Sequence, residues 1–128
     1  MPSASDAQDP MTQAIVGCAM TVHTTLGPGL LESVYEVCLA HELRKQGLDV
    51  ERQVPLPVTY DGLQLDAGFR IDLLVAGQVV VEIKSVDKLA PTHSAQLLTY
   101  LRLAGLKTGL LLNFNVLHLR EGIKRVSN

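Results

Sequence analysis

The chain has 128 residues, a length that suits one domain able to bury roughly two thirds of its unfolded-chain surface. Eleven basic and thirteen acidic residues give a formal charge of −2, which argues against a surface that holds nucleic acid mainly by lysine and arginine contacts to phosphate. No apolar run approaches the roughly 20 residues of a membrane span, and residues 1–10 lack a signal-peptide core, so we expect a cytoplasmic protein without a membrane partner.

Two helices are predicted after a small, polar tail at residues 1–10, which we expect to be disordered. Apolar residues at three- and four-residue steps predict the first helix from Met11 to Thr25, and Gly27 supplies its stop signal. The second helix is predicted from about Leu30 to Gln46. Glu32 lies in its first turn, where a carboxylate suits the helix dipole, so this pattern alone leaves a purely structural role for Glu32 open.

The remainder of the chain alternates between strand signals and one more helix. Asp61-Gly62 is a strong signal for a tight hairpin turn. Thr92 is the predicted N-cap of a third helix. The predicted elements are an irregular, proline-containing strand at Val50–Tyr60, the third helix up to Ala104, a buried strand at Lys107–Asn113, an edge strand at Val116–Leu119 and a basic, polar end at Glu121–Asn128.

The functional prediction depends on the hairpin predicted over residues 69–84. Two β-branched apolar runs flank Gly77, and a three-residue loop centred there places Asp72 opposite Glu82, with Cβ atoms roughly 5 Å apart. Lys84 joins the same face, because side chains alternate along a strand. The opposite face is predicted to hold Ile71, Leu73, Val81 and Ile83. Two carboxylates at this distance repel each other, and a divalent cation such as Mg²⁺ would resolve the conflict; charges on a solvated strand face are the alternative.

These residues also resemble a known family. Gly29-x-x-Glu32-x-x-Tyr35 resembles the signature of the GxxExxY protein family, a bacterial branch of the PD-(D/E)XK nuclease superfamily. Asp72 followed by Glu82-x-Lys84 resembles the metal site of that superfamily, with Ile71 where the superfamily name has proline. The resemblance continues through residues 51–58, 70–75, 81–84, 96–101 and 110–114. It implies an α/β fold with a restriction-endonuclease-like core, in which helices flank a small mixed sheet, as one domain over residues 11–128.

The resemblance implies a nuclease that depends on Mg²⁺ or Mn²⁺ and acts on DNA, with RNA as the second candidate substrate. Asp72 and Glu82 would hold the metal together with the Ile83 backbone carbonyl. Glu32 would complete the set directly or through water. Lys84 would orient the attacking water or offset charge on the phosphorane.

The third helix adds two residues to this picture. Gln96 and Tyr100 are spaced i,i+4 and share a helix face. They resemble the extra motif of the exonuclease-like members of the superfamily, which implies that they position the substrate. The alternative is a polar stripe that flanks the apolar core row of this helix.

A rival function and three smaller expectations complete the prediction. The rival is a non-catalytic module of the same fold that binds a partner protein or nucleic acid; the low positive charge favours it, and the retained acid set opposes it. We expect a homodimer, because twofold dimers are the commonest soluble oligomers. Cys18 and Cys38 lie in apolar helical patterns and are predicted to be buried free thiols. His23, His41 and His118 lack metal-ligand spacing with each other and with the cysteines, so zinc is not expected.

Overall fold

The computed structural model describes residues 9–128. In these residues the helices are α1 (Pro10–Leu26), α2 (Glu32–Lys45) and α3 (Pro91–Ala104). The strands are β1 (Val50–Pro55), β2 (Val58–Tyr60), β3 (Leu63–Leu65), β4 (Arg70–Val75), β5 (Val79–Lys84), β6 (Thr108–Asn113) and β7 (Ile123–Ser127), and a 3-10 turn at Leu119–Gly122 precedes β7.

Five strands form one mixed sheet in the order β1-β4-β5-β6-β7. The pairings are antiparallel except between β5 and β6, which run parallel and are joined through α3. A parallel pair needs a crossover of this kind, because the chain must return to the opposite end of the sheet before the second strand begins. The first five residues of β5 are buried, as expected for a central strand covered on both faces. The predicted α/β fold, with helices flanking a small mixed sheet, is confirmed.

The helices cover the two faces of the sheet with separate apolar clusters. On one face α1 and α2 pack against β4, β5 and β6, with Tyr35 and Phe114 stacked at 4.4 Å between ring centroids. On the other face α3 packs Leu97 and Leu101 against Val80 and Leu111. The polar side chains of the central strands, Asp72, Glu82 and Lys84, lie toward the start of β4 and the end of β5.

Ile71 lies in the α3 cluster, so the prediction that it shares a face with Leu73 is wrong. The β1–β4 register has pairs at Arg52–Leu73 and Val54–Ile71 but none between them, where Asp72 lies. Regular alternation fails at this point of β4. Strict alternation would place Ile71 on the same face as Leu73 and Asp72 on the α3 face. Ile71 instead lies on the α3 face.

The N-terminal boundary differs from the prediction. Pro10 begins α1, and Asp9 caps it by accepting hydrogen bonds from the Met11 backbone N–H (3.1 Å) and the Thr12 hydroxyl (2.8 Å). These interactions lower the pKa of Asp9, the Thr12 hydroxyl most of all. The predicted tail therefore ends before Asp9, and its residues 1–8 lie outside the described part of the chain.

The start of α3 and the last strand also differ from the prediction. Ala90, not Thr92, is the N-cap of α3, because Pro91 takes the first helical position and the His93 ring accepts the Ala90 N–H at 3.0 Å. The predicted edge strand at Val116–Leu119 is wrong as well. The edge strand is β7, in the segment predicted to be a polar end.

Three smaller points concern the helices. Cys18 is a buried free thiol as predicted, whereas the free Cys38 is only partly buried. Leu31, the N-cap of α2, is 74% exposed and lies outside the core. None of the helices in residues 9–128 combines the length and the apolar content that crossing a membrane requires.

Candidate metal centre

Asp72 and Glu82 meet where β4 and β5 stop pairing. The ladder has Val75 opposite Val79 and Leu73 opposite Val81, which confirms the predicted register of the hairpin. Beyond Leu73 the carboxylates replace backbone partners. The Ile83 N–H donates to Asp72 Oδ2 at 2.8 Å, and the Asp72 N–H donates to Glu82 Oε1 at 3.3 Å. The strands therefore separate with the two acids between them.

Glu82 carries the electrostatic strain of this arrangement. Its side chain is only 6% exposed, and burial together with the neighbouring Asp72 charge raises the pKa of Glu82 to about 8. The carboxyl groups are close enough for a hydrogen bond that favours the protonated form of Glu82, and the Lys84 charge opposes the rise. Two acids that share a desolvated site cannot both ionise easily without a cation.

The Ile83 carbonyl points toward the same edge as the acids. The Phe114 N–H donates to the Lys84 carbonyl at 3.0 Å, so the backbone N–H and C=O of Lys84 point toward β6. Those of the preceding residue, Ile83, point to the opposite edge of the strand. The bond from the Ile83 N–H to Asp72 lies on that side, where β4 has moved away. The carbonyl is thus a third oxygen donor beside the acid pair.

Glu32 reaches the end of β5 but not the acid pair. Its Oε2 accepts a hydrogen bond from the Ser85 N–H at 3.0 Å, one residue past Lys84. The Ser85 hydroxyl donates to the Leu30 carbonyl at 2.7 Å, which ties the start of α2 to the same point. Within residues 9–128, no three Asp, Glu, His or Cys side chains lie close enough together to form a metal-binding group.

Tyr35 explains how the turn before α2 holds Glu32 in place. Its buried hydroxyl donates to the Gly27 carbonyl at 2.6 Å and accepts the Leu30 N–H at 3.1 Å. Gly29 has φ +95°, a conformation that only glycine adopts readily. Gly29, Glu32 and Tyr35 therefore act as one unit. Gly29 makes the turn, Glu32 places a carboxylate at the helix start, and the Tyr35 hydroxyl links the two sides of the turn.

Tyr100 faces the acids from α3. Burial, and then the charges of Glu82 and Asp72, raise the pKa of Tyr100, so its hydroxyl stays protonated and remains a hydrogen-bond donor. Phe69 lies against it with ring centroids 6.1 Å apart. Gln96 is exposed one turn earlier on α3, on the side of the helix that leads to Tyr100.

Three residues near Asp72 have no counterpart in the sequence prediction. Gln53 donates to both Glu36 and Asp72, and Arg52 forms an ion pair with Glu36 at 2.9 Å. Glu36 is buried on α2 in the row that continues with Ala40 and Leu43. An acid within an apolar helical row is the one signal that points to such a network, because a buried carboxylate needs a partner.

The central strands of the mixed sheet separate around Asp72 and the buried Glu82, and Lys84 follows Glu82 by two residues on the same strand. These features define an α/β fold with a carboxylate-rich site. The family model of the PD-(D/E)XK nuclease superfamily matches residues 9–126, and the chain belongs to this superfamily. Its nucleases generally use divalent metal ions. A search of curated proteins and a search of solved structures found no match.

Proposed function

We propose that the chain is a nuclease that requires Mg²⁺ or Mn²⁺ and hydrolyses phosphodiester bonds of DNA in preference to RNA. The observation that carries the proposal is the buried Glu82 carboxyl held against Asp72. A solvated strand face would not desolvate one of its two acids. The preference for DNA rests on the resemblance of the Glu32 and Glu82-x-Lys84 motifs to nucleases of this superfamily.

The donor set fits a hard divalent cation. Asp72 and Glu82 offer carboxylate oxygens and Ile83 a carbonyl oxygen, which are the ligands that Mg²⁺ and Mn²⁺ prefer. Because Glu32 is engaged with Ser85, we assign it a contact through water. When bound, the ion would polarise the scissile phosphate and favour ionisation of the attacking water.

The remaining residues have roles that follow from their charge and place. Lys84 extends from the same face as Glu82, and within residues 9–128 its ammonium has no hydrogen-bond acceptor, so it is available to orient water or offset phosphorane charge. The protonated Tyr100 hydroxyl would donate to a phosphate oxygen near the acids. Gln96, exposed on the same helix, would contact the next part of the substrate.

Nuclease assays test the proposal directly. The purified protein would be incubated with single- and double-stranded DNA and RNA in Mg²⁺, Mn²⁺ or EDTA. Lys84→Ala should lose at least about 100-fold in rate, the scale of one positioned catalytic group. Lys88→Ala, purified in the same way, removes an exposed lysine outside the site and should retain activity. Equal activity in the Lys84→Ala protein and the wild type would mean that the cleavage is not due to this site.

Metal binding gives a second test that needs no substrate. A ligand that binds only the folded state stabilises it by about 2.7 kcal/mol at a hundredfold excess over Kd. Wild type should therefore melt several degrees higher in Mn²⁺, and Asp72→Asn should lose most of that shift. Asp61→Asn makes the same chemical change in the β2–β3 turn and should keep it. Identical shifts in all three proteins would exclude the carboxylate site and favour a non-catalytic binding module.

We also propose that residues 11–128 act as one nuclease domain of the GxxExxY branch, cytoplasmic and paired as a homodimer. The Gly29, Glu32 and Tyr35 unit supports the branch assignment. A monomeric mass by light scattering at micromolar concentration would remove the dimer without affecting the site.

A further inference from the structure

Gln53 has an unusual backbone conformation for its position in the fold. Its φ is +52°, in the left-handed region, although it lies inside β1 with paired residues on both sides. Asp61 and Ala76, the other non-glycine residues with positive φ between residues 9 and 128, lie in hairpin turns, where such values are ordinary. A strained residue held in the middle of a strand needs neighbours that determine its conformation.

The side chain of Gln53 joins two carboxylates. Its Nε2 donates to Glu36 Oε1 at 2.6 Å and to Asp72 Oδ1 at 3.3 Å. An amide nitrogen has two N–H groups, so both are used by acids. The amide is neutral and therefore holds Asp72 without competing with a cation, whereas a lysine or arginine here would form an ion pair with the acid.

Glu36 supplies a rigid anchor on the other side. It is only 5% exposed, and its Oε2 accepts from both Nε (3.1 Å) and Nη2 (2.9 Å) of Arg52. Its Oε1 is left for Gln53. Both Arg52 hydrogen bonds go to Oε2 and are charge-assisted, and Oε1 accepts from Gln53, so each oxygen of the buried Glu36 has a partner. The Gln53 amide is thus held between Glu36 and Asp72.

We infer that Gln53 is a positioning residue for metal binding, which orients the Asp72 carboxylate from the side opposite to Ile83. Asp72 Oδ2 is held by the Ile83 N–H and Oδ1 by Gln53, so the plane of the carboxylate is fixed. Each oxygen keeps a lone pair for a ligand. The inference rests on the proposed function, since it describes the outer partner of a proposed metal ligand.

Calorimetric titration with Mn²⁺ tests the inference on two variants. Gln53→Met removes the amide and keeps a long side chain; Gln53→Gly removes the amide and relaxes the positive φ. Loss of an outer-shell partner weakens metal binding by about 10- to 100-fold, so both variants should show a Kd at least about tenfold higher than wild type. Gln78→Met, in the exposed turn of the β4–β5 hairpin, should bind as wild type does.

The outcomes separate the two hypotheses. Wild-type affinity in Gln53→Met would overturn the positioning role, because the backbone conformation alone would then suffice. If Gln53→Met fails to fold, Gln53→Gly gives the same decision, since it removes the strain that would cause misfolding. Absence of Mn²⁺ binding in the wild type would overturn the proposed function itself, and the inference with it. A tenfold loss in the glutamine variants with unchanged binding in Gln78→Met supports both.

Discussion

Glu82 is a carboxyl group placed where it resists ionisation. Its burial and the Asp72 charge raise its pKa to about 8, so it holds a proton at neutral pH when no cation is present. Metal binding would displace that proton, because carboxylate ligands bind as anions. A site of this kind takes up a cation and releases a proton in one exchange.

The pH dependence of stability should report this proton. The pKa of Glu82 rises from 4.5 to about 8 on folding, so the folded state binds the proton more tightly. The associated stability is fully present below pH 4.5 and is lost as pH rises to about 8, by at most about 1.4 kcal/mol per pH unit. Urea unfolding in EDTA should show this fall in wild type relative to Glu82→Gln. Parallel curves for the two proteins would contradict it.

Proton release on metal binding should follow the same pKa. At pH 7 the uptake of Mn²⁺ should release close to one proton per ion, and the release should vanish well above pH 8. The apparent affinity should rise with pH over the same range and then level off. Calorimetry in buffers of different ionisation enthalpy measures the number of protons. A release near zero at pH 7 would show that Glu82 is not a ligand.

The apposition of Asp72 and Glu82 was predictable because a short hairpin loop fixes the register and side chains alternate along each strand. The role of Gln53 was not, because one left-handed residue leaves no periodic signal. Its partners lie 17 and 19 residues away in the chain. The face of Ile71 was predicted incorrectly for the same reason, because it depends on the break in alternation beside Gln53.

At the scale of an element, the turn before α2 depends on the Tyr35 hydroxyl. Tyr35→Phe leaves the Gly27 carbonyl and the Leu30 N–H without a partner and should cost about 1–3 kcal/mol in free energy of unfolding. Urea denaturation measures this. Tyr60→Phe removes a hydroxyl from a side chain that is 71% exposed, and its effect should stay within about 0.5 kcal/mol. Equal losses of stability in Tyr35→Phe and Tyr60→Phe would mean that the Tyr35 hydroxyl does not hold the turn.

The elements that the sequence predicted well are those with local signals. Asp61 and Gly62 form the turn between β2 and β3, and α3 ends at Ala104, both as predicted; Gly105 follows in the left-handed conformation. β7 was missed because three of its five residues, Lys124, Arg125 and Ser127, are polar. Its assignment depends on pairing with β6, which no local pattern encodes.

At the scale of the whole molecule, the five-stranded sheet and the β2–β3 ribbon differ in their support. β5 has paired strands on both sides, and helices cover both faces, so its amides should exchange with solvent only on global unfolding. The ribbon is a separate two-stranded sheet whose residues are exposed except for the partly buried Val58, and such ribbons are marginal alone. Hydrogen exchange should be fast there. Protection of the ribbon equal to that of β5 would mean that another chain covers it.

The ribbon also bears on how this fold can diversify. Its chain leaves the main sheet after Pro55 and returns at Arg70, which are paired, and the Leu56 N–H closes the gap by donating to the Phe69 carbonyl at 2.9 Å. Both ends of the excursion are therefore fixed by the sheet, and lengthening or shortening it changes the closure entropy only slowly. The sequence and length of residues 57–68 can therefore change while β4, the strand that carries Asp72, keeps its register. Changes in the ribbon thus leave the acid pair unaltered.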